Sequence, residues 1–227
     1  MTEQASSTTP GSLYRFAGWS AMISGLIGIM AAASLITGVM TRTSVALSRS
    51  GFLLFRSHDL GIIIEFCLLI PVAFALHRLS LKRSPGMSRA MLNTGVVLLS
   101  FTILLLLLAL AKVCKDTLYM FPQGLFGGWL IVFCWRYSGM LSRGLRYFGM
   151  VVGIALALVG IFPVGFAIFV NPIILRIPAV AADKYPVSHS TANIILHRIL
   201  YIGTFGVITL PVWSILLGRR LLRERSS

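Results

Sequence analysis

Six long apolar segments, separated by short polar connections, constrain this chain more than any other feature. A hydrocarbon core of about 30 Å is crossed by roughly 20 apolar residues in a helix. Backbone groups in hydrocarbon must satisfy their own hydrogen bonds, and no ten-residue alternation typical of a barrel strand is visible, so each segment is predicted to be helical. The predicted segments are 16–40, 60–76, 91–111, 118–135, 148–170 and 194–217.

The composition agrees with a chain that is solvated largely by lipid. Of its 227 residues, 57% are hydrophobic and 11% are charged. A soluble domain carries about 25% charged residues and cannot bury so much apolar surface at this size. The sequence predicts an all-α membrane protein, with one six-helix transmembrane domain over residues 16–218. A disordered cytoplasmic tail is predicted for residues 1–15 and a basic cytoplasmic tail for residues 219–227.

The positions of lysine and arginine predict the orientation of the chain. Twelve of these residues fall on the side of the two termini and eight on the other side. Cationic loops are retained in the cytoplasm, so both termini are expected there, in a bacterial plasma membrane. The side of the termini carries Arg15, Arg78, Lys82, Arg83, Arg89, Arg136, Arg143, Arg146, Arg219, Arg220, Arg223 and Arg225, and the other side carries Arg42, Arg49, Arg56, Lys112, Lys115, Arg176, Lys184 and Arg198.

The formal net charge of +14 would suggest nucleic-acid binding in a soluble protein. Here the cations lie between apolar segments and at the C-terminus, where they meet anionic lipid headgroups. No stretch interleaves basic and aromatic residues as a groove for single-stranded nucleic acid does. The expected partners are therefore the bilayer and its anionic headgroups, and not nucleic acid.

Glu65 is the candidate functional residue. It lies seven positions after His58, on the same helix face and about 10 Å deeper in the second segment. A carboxylate at that depth costs several kcal/mol unless it is paired, protonated or hydrated. It therefore marks either a site that binds or moves a small solute or a proton, or a structural ion pair or hydrogen bond that holds helices together.

A polar stripe on the sixth segment offers partners for Glu65. Asn193, His197 and Tyr201 follow one helical face from the outer side inwards, with Arg198 on a neighbouring face. Since Glu65 enters from the same side, a hydrogen-bonded cluster with His197 and Tyr201 is geometrically allowed. Such a cluster would form a pH-sensitive site. The alternative is a packing network with no further role.

Small residues spaced four apart predict close contacts between helices. Ser24 and Gly28 lie on one face of the first segment, and Gly149 and Gly153 on one face of the fifth. Such faces let backbones approach closely in lipid. Packing within the chain is the main interpretation, and contact with a partner membrane protein is the alternative. The four tryptophans lie near segment ends or near Pro and Gly, and most are expected at the membrane interface.

The chain shows no motif of a known catalytic or metal site. It has no glycine-rich phosphate loop, no H-E-x-x-H and no G-x-S-x-G. Its four histidines and three cysteines show no metal-ligand spacing. No cofactor, metal or enzymatic activity is therefore expected. The remaining enzymatic alternative is an intramembrane acid–base pair of Glu65 and His197.

Four stretches carry a family resemblance. They are YRFAGW at 14–19, LIPVAFAL at 69–76, LSRGLRYFG at 141–149 and the ending from LPVW to GRR at 210–220. Together they resemble a bacterial family of uncharacterised six-helix integral membrane proteins, a domain-of-unknown-function group. The resemblance spans nearly the whole chain. It implies six helices and no known activity, so it assigns a role to no residue.

Overall fold

Long α-helices make up almost all of the computed structural model, which describes residues 10–41, 48–83, 89–137, 139, 141–175 and 190–223. The helices are α1 (Pro10–Thr41), α2 (Ser48–Arg83), α3 (Arg89–Leu110), α4 (Met120–Arg136), α5 (Arg143–Phe169) and α6 (Thr191–Arg223). One-turn 3-10 helices occupy Asp116–Tyr119 and Pro172–Leu175. Within these ranges there is no strand, and six helices are long and apolar enough to cross a membrane. The protein is therefore a multi-pass, all-α membrane protein, as predicted.

The helices alternate in direction and pack in a ring. Each helix contacts the next one along the chain, and α1 packs against α6 to close the ring. Short connections between antiparallel neighbours favour this arrangement. We call the end where α1 begins and α6 finishes the terminus end. The opposite end, which bears Asp59 and Asp116, is called the carboxylate end.

Side chains separate into an inner core and an outer apolar surface. Large residues such as Phe66, Phe133 and Leu156 are fully buried at helix contacts. Others point outwards, and Met30 and Phe169 are 70% and 69% exposed. An exposed apolar surface of this extent is unusual for a soluble protein and is what lipid tails would cover.

Two of the tryptophans lie in the core and not at the membrane interface. The Trp129 indole donates a hydrogen bond to the Met91 carbonyl at 2.7 Å. The Trp213 indole donates to the Leu145 carbonyl at 3.2 Å. The expectation of interface positions is therefore wrong for these two, because a buried indole is acceptable once its N–H has a partner. The other two tryptophans are more than half exposed.

Two predicted tails are partly helical. α1 begins at Pro10, so residues 10–15 belong to the helix. Proline favours the first helical position, and Tyr14 is buried in the core. At the other terminus α6 continues to Arg223, because Leu221 also packs in the core. The remainder of both predicted tails, residues 1–9 and 224–227, lies outside the described residues.

α2 begins at Ser48, well before the predicted start near residue 60. Polar side chains in the first part of α2 are bonded to backbone carbonyls of neighbouring helices. Arg56 Nη1 donates to the Leu110 carbonyl at 2.8 Å, and His58 Nδ1 lies 3.0 Å from the Ala31 carbonyl. Because these groups have partners, they do not end the helix.

Candidate functional site

Glu65 lies where α1, α2 and α6 meet, and its side chain is only 1% exposed. A Cβ atom placed on Gly28 of α1 would lie 2.7 Å from Glu65 Oε1 and 2.6 Å from Pro211 Cγ of α6. The missing side chain at Gly28 therefore makes room for a carboxyl group and a proline ring at one point. Gly28 belongs to the small-residue face that the sequence predicts on α1, and that face is where the three helices meet.

Two more small residues, Ser24 and Gly25, lie one turn before Gly28 on the same face of α1. Ser24 is fully buried, and its Oγ donates to the backbone carbonyl of Glu65 at 3.2 Å. A Cβ on Gly25 would meet the carbonyl oxygen of Pro211. α1 thus contacts α2 and α6 through small residues, which is how helices approach closely where no hydrophobic force drives them together.

The Glu65 carboxyl group is left without a partner at one oxygen. Within the described part of the chain, Oε1 has no hydrogen-bond partner. Buried Ser214, by contrast, donates to the Leu210 carbonyl of its own helix at 3.0 Å, and buried His58 bonds to the Ala31 carbonyl of α1. A charged carboxylate buried without such a bond is costly. The burial of this acid therefore calls for a chemical explanation.

Two prolines within helices lie close to Glu65. Pro71 is in α2, less than two turns from Glu65, and Pro211 is in α6. Proline has no backbone N–H, so the carbonyls four residues earlier, at Cys67 and Val207, lose their usual helical donor. Interrupted helices with freed carbonyls are typical of ion sites in membrane proteins.

His58 forms a second polar group nearer the carboxylate end. Its buried ring lies with Nδ1 3.0 Å from the Ala31 carbonyl and Nε2 3.4 Å from the Tyr119 hydroxyl. A carbonyl can only accept, so Nδ1 carries the hydrogen and the Tyr119 hydroxyl donates to Nε2. The ring therefore joins α1, α2 and the 3-10 helix that precedes α4.

Charged residues lie near Tyr119, the hydroxyl partner of this histidine. Asp59 is buried and lies within electrostatic range of Asp116 and Arg56. Arg56 in turn donates to the Leu110 carbonyl at the end of α3, where the helix dipole is negative. We call this group the carboxylate cluster. Its members are Arg56, His58, Asp59, Lys115, Asp116 and Tyr119.

Cys114 is buried beside the carboxylate cluster and donates a hydrogen bond to the Leu105 carbonyl at 3.5 Å. Burial, together with the nearby Asp116 carboxylate, raises the pKa of its thiol. A thiol held in its neutral form is a weak nucleophile. Cys114 is therefore a packing residue.

The polar stripe predicted on α6 does not reach Glu65. Tyr201 is 75% exposed and faces outwards. His197 Nδ1 donates to the Asn193 carbonyl at 2.9 Å within the same helix. The His197 ring packs edge-on against Phe162 of α5, with ring centroids 5.3 Å apart.

The polar stripe of α6 misses Glu65 because the two lie at different positions along the helix axis. Glu65 meets α6 at Pro211, which lies fourteen residues beyond His197, or roughly 21 Å along the helix. Arg198 is exposed. The structure therefore does not form the predicted cluster of Glu65, His197 and Tyr201, although it buries both Glu65 and His58.

The glycine face of α5 is occupied within the chain. A Cβ on Gly149 would lie 2.6 Å from both Cys134 Sγ and Trp213 Nε1. A Cβ on Gly153 would lie 2.7 Å from the Gly127 carbonyl oxygen. Both glycines thus pack against α4 or α6.

Sequence reasoning misses three residues at the site: Pro211, Asp116 and Tyr119. Asp116 and Tyr119 lie in the connection on the same side of the membrane as His58 and Asp59, so grouping the connections by side would have found them. No comparable signal exists for Pro211, because Pro211 of α6 approaches Glu65 of α2 only through the packing of both helices on Gly28 of α1.

Comparisons with known proteins do not extend these findings. No protein-family model, curated protein or solved structure matches the chain. The resemblance to the bacterial six-helix family therefore stays a prediction. Among the described residues, no group of three or more His, Cys, Asp or Glu side chains could hold a metal ion.

Proposed function

We propose that this protein binds and releases a proton at Glu65 within a bacterial plasma membrane. The observation that carries the proposal is the Glu65 carboxyl group itself. It is 1% exposed at a junction of three helices, and its Oε1 has no hydrogen-bond partner among the described residues. A buried acid that must be neutral to be stable, yet can ionise when its surroundings rearrange, is a proton-binding group.

Close packing favours a proton over a larger solute. A single added Cβ on Gly28 would already overlap both the carboxyl group and the ring of Pro211. A small gap exists at the centre of the bundle, but its lining is apolar and does not include Glu65. The gap is lined by Leu69, Val72, Ala73, Leu76, Leu99, Phe126, Trp129 and Trp213.

The proposal places both termini in the cytoplasm. In the ranges that the structure describes, the terminus end bears arginines and no Asp or Glu, which is the charge pattern of a cytoplasmic face. A fluorescent reporter fused after Ser227 should therefore be active inside the cell, and a periplasm-specific reporter at the same place should be inactive. The reverse result would invert the orientation.

Infrared spectroscopy of the full chain in lipid tests the proton site. The C=O stretch of a protonated, buried carboxyl group should disappear on titration to high pH and should be missing in the isosteric variant Glu65→Gln. Asp116→Asn, which removes a carboxyl group in an exposed position, is the matched control and should retain the band. If Glu65→Gln leaves the titrating band unchanged, the proposal is wrong.

The two alternatives have less support. A scaffold that uses the small-residue faces would need Gly149 and Gly153 to be available, but both pack within the chain. A partner protein would have to use another surface. The acid–base pair of Glu65 and His197 is not assembled, since His197 bonds within α6 and packs on α5.

A further inference from the structure

The terminus end of the bundle carries positive charge that no described carboxyl group balances. Each of the six helices brings at least one arginine to this end, and most of these side chains are exposed. The described carboxyl groups, those of Asp59, Glu65 and Asp116, lie at the carboxylate end or in the membrane interior. The predicted tails add only Glu3 and Glu224 to the sequence on this side. The exposed arginines include Arg15, Arg78, Arg89, Arg136, Arg143 and Arg219.

The carboxylate end differs, because cations there have acids beside them. Arg56 lies within electrostatic range of both Asp59 and Asp116. Lys115 lies within electrostatic range of Asp116. Most of the positive charge at the terminus end therefore needs a counter-ion from outside the chain.

The start of α5 concentrates this charge. Arg143 is the first residue of the helix and Arg146 lies in its first turn, which contains no acid. The N-terminus of a helix carries the positive end of its dipole, so cations there are disfavoured unless an anion is close. Arg136 ends α4, and only residues 137–142 separate it from α5. We call Arg136, Arg143 and Arg146 the basic turn.

Arg146 has an N–H group that lacks an acceptor. Its Nε is buried and has no hydrogen-bond partner among the described residues. Its guanidinium carbon lies 4.7 Å from the centroid of the Tyr147 ring, a cation–π contact that holds the group in place. A guanidinium offers a fork of donors that matches the oxygens of a phosphate. The basic turn therefore has both the charge and the donors that a phosphate group requires.

Exposed aromatic residues place the basic turn at the depth of lipid headgroups. Trp135 precedes Arg136 and is 70% exposed, and Tyr147 follows Arg146 and is 56% exposed. Tryptophan and tyrosine concentrate at the interface between hydrocarbon and water. A ligand on this surface therefore has its phosphate at the basic turn and hydrocarbon beyond it, which describes a phospholipid and not a soluble anion. Deeper along α4 and α5 the exposed residues are apolar and include Val132, Val151 and Ile154.

We infer that the basic turn is a binding site for an anionic phospholipid, such as phosphatidylglycerol. The arginines hold the phosphate, and the acyl chains lie along the exposed faces of α4 and α5. Each arginine near a charged membrane surface contributes roughly a fivefold preference for anionic lipid. The site does not depend on the proposed proton binding at Glu65.

Quenching of Trp135 by brominated lipid tests the site, because bromine quenches tryptophan only at close range. The full chain with Trp19→Phe, which leaves Trp135 as the exposed tryptophan, is placed in nanodiscs of phosphatidylcholine. Part of the lipid is then replaced by phosphatidylglycerol with brominated acyl chains, or in a parallel sample by brominated phosphatidylcholine. Half-maximal quenching should need at least about fivefold less brominated phosphatidylglycerol than brominated phosphatidylcholine. The quenching should be lost in Trp135→Phe.

Arginine variants separate a site from diffuse attraction. Arg136→Gln, Arg143→Gln and Arg146→Gln should each reduce the preference for phosphatidylglycerol by roughly fivefold, or down to no preference. Arg78→Gln and Arg219→Gln are the matched controls. They remove the same charge from the same end of other helices, and they should change the preference much less. Size-exclusion chromatography reports whether each variant is folded.

Glycerol phosphate distinguishes a lipid from a free phosphate. At the ionic strength of a sodium chloride control, it should relieve the quenching no more than the chloride salt does. A larger effect of glycerol phosphate would overturn the inference, because the site would then bind phosphate without acyl chains.

Three further results would also overturn it. Both brominated lipids could quench the unaltered arginine set alike, the folded basic-turn variants could all keep their preference, or Arg78→Gln and Arg219→Gln could lose as much preference as the basic-turn variants. The last result would mean that the whole terminus end attracts anionic lipid diffusely. None of these results changes the infrared band assigned to Glu65, so the proposed function is tested separately.

Discussion

The contact between α4 and α5 and the junction around Glu65 both depend on glycine, with opposite consequences. In the first, backbone packs against backbone, and a Cβ on Gly124 would meet the Cα of Gly160. In the second, the space at Gly28 is filled by the carboxyl group of Glu65 and the ring of Pro211. One contact joins backbone to backbone, whereas the other admits an ionisable side chain into the membrane interior.

This difference shows what close packing is used for in each region. Between α4 and α5 it brings atoms into dispersion contact and has no evident second purpose. Around Glu65 it holds a polar atom without a partner, which costs about 1–3 kcal/mol. Departures from good polar pairing concentrate at functional sites. The junction, and not the tighter contact, is therefore where function is proposed.

The largest effect is expected at the backbone contact. Gly124→Ala should lower the free energy of unfolding by about 3 kcal/mol, because the new methyl group meets the backbone of Gly160 and neither helix can yield easily. Gly128→Ala, one turn along α4, is the matched control, since a Cβ there meets nothing within 4 Å. Denaturation in mixed micelles measures both. Equal losses would contradict the close contact.

A smaller effect is expected at the junction, where the obstacle is the end of a side chain. Gly28→Ala should lower the free energy of unfolding by about 2 kcal/mol. In a Glu65→Ala background the loss should shrink by about 1 kcal/mol, because one of the two overlapping groups is gone. If the loss is the same in both backgrounds, Pro211 alone determines it.

Replacing the unpartnered acid should improve stability. Glu65→Leu replaces a buried polar side chain by an apolar one of similar volume. It should raise the free energy of unfolding by about 1 kcal/mol, and the titrating infrared band should disappear. The same micelle denaturation measures it. A clear loss of stability would favour the structural interpretation, in which the carboxyl group holds the three helices together.

The smallest effect is expected at Ser24. Ser24→Ala removes its hydrogen bond to the Glu65 carbonyl and should cost about 0.5 kcal/mol. Ser34→Ala on the same helix is the control, because Ser34 donates to the Met30 carbonyl of its own helix, and a smaller loss is expected there. If the Ser34 variant loses as much as the Ser24 variant, the contact between α1 and α2 contributes little at this position.

The site was only partly predictable. Glu65 stands out in the sequence because a carboxylate in an apolar segment is rare and costly. Its companions His58 and Gly28 could also be named, one from spacing and the other from the small-residue face. The predicted partners on α6 could not be placed correctly, since helical periodicity defines a face but not which neighbour that face meets.

The sequence by itself determined that the chain crosses a membrane as six helices and that one acid lies below the surface. Both follow from segment length and hydropathy, because the thickness of the bilayer fixes how many apolar residues each helix needs and hence how deep each residue lies. Only the tertiary structure decided that α6 meets Glu65 at Pro211 and leaves Tyr201 facing outwards. In lipid no hydrophobic force orients one apolar helix against another, so that choice depends on how the shapes of two surfaces fit together.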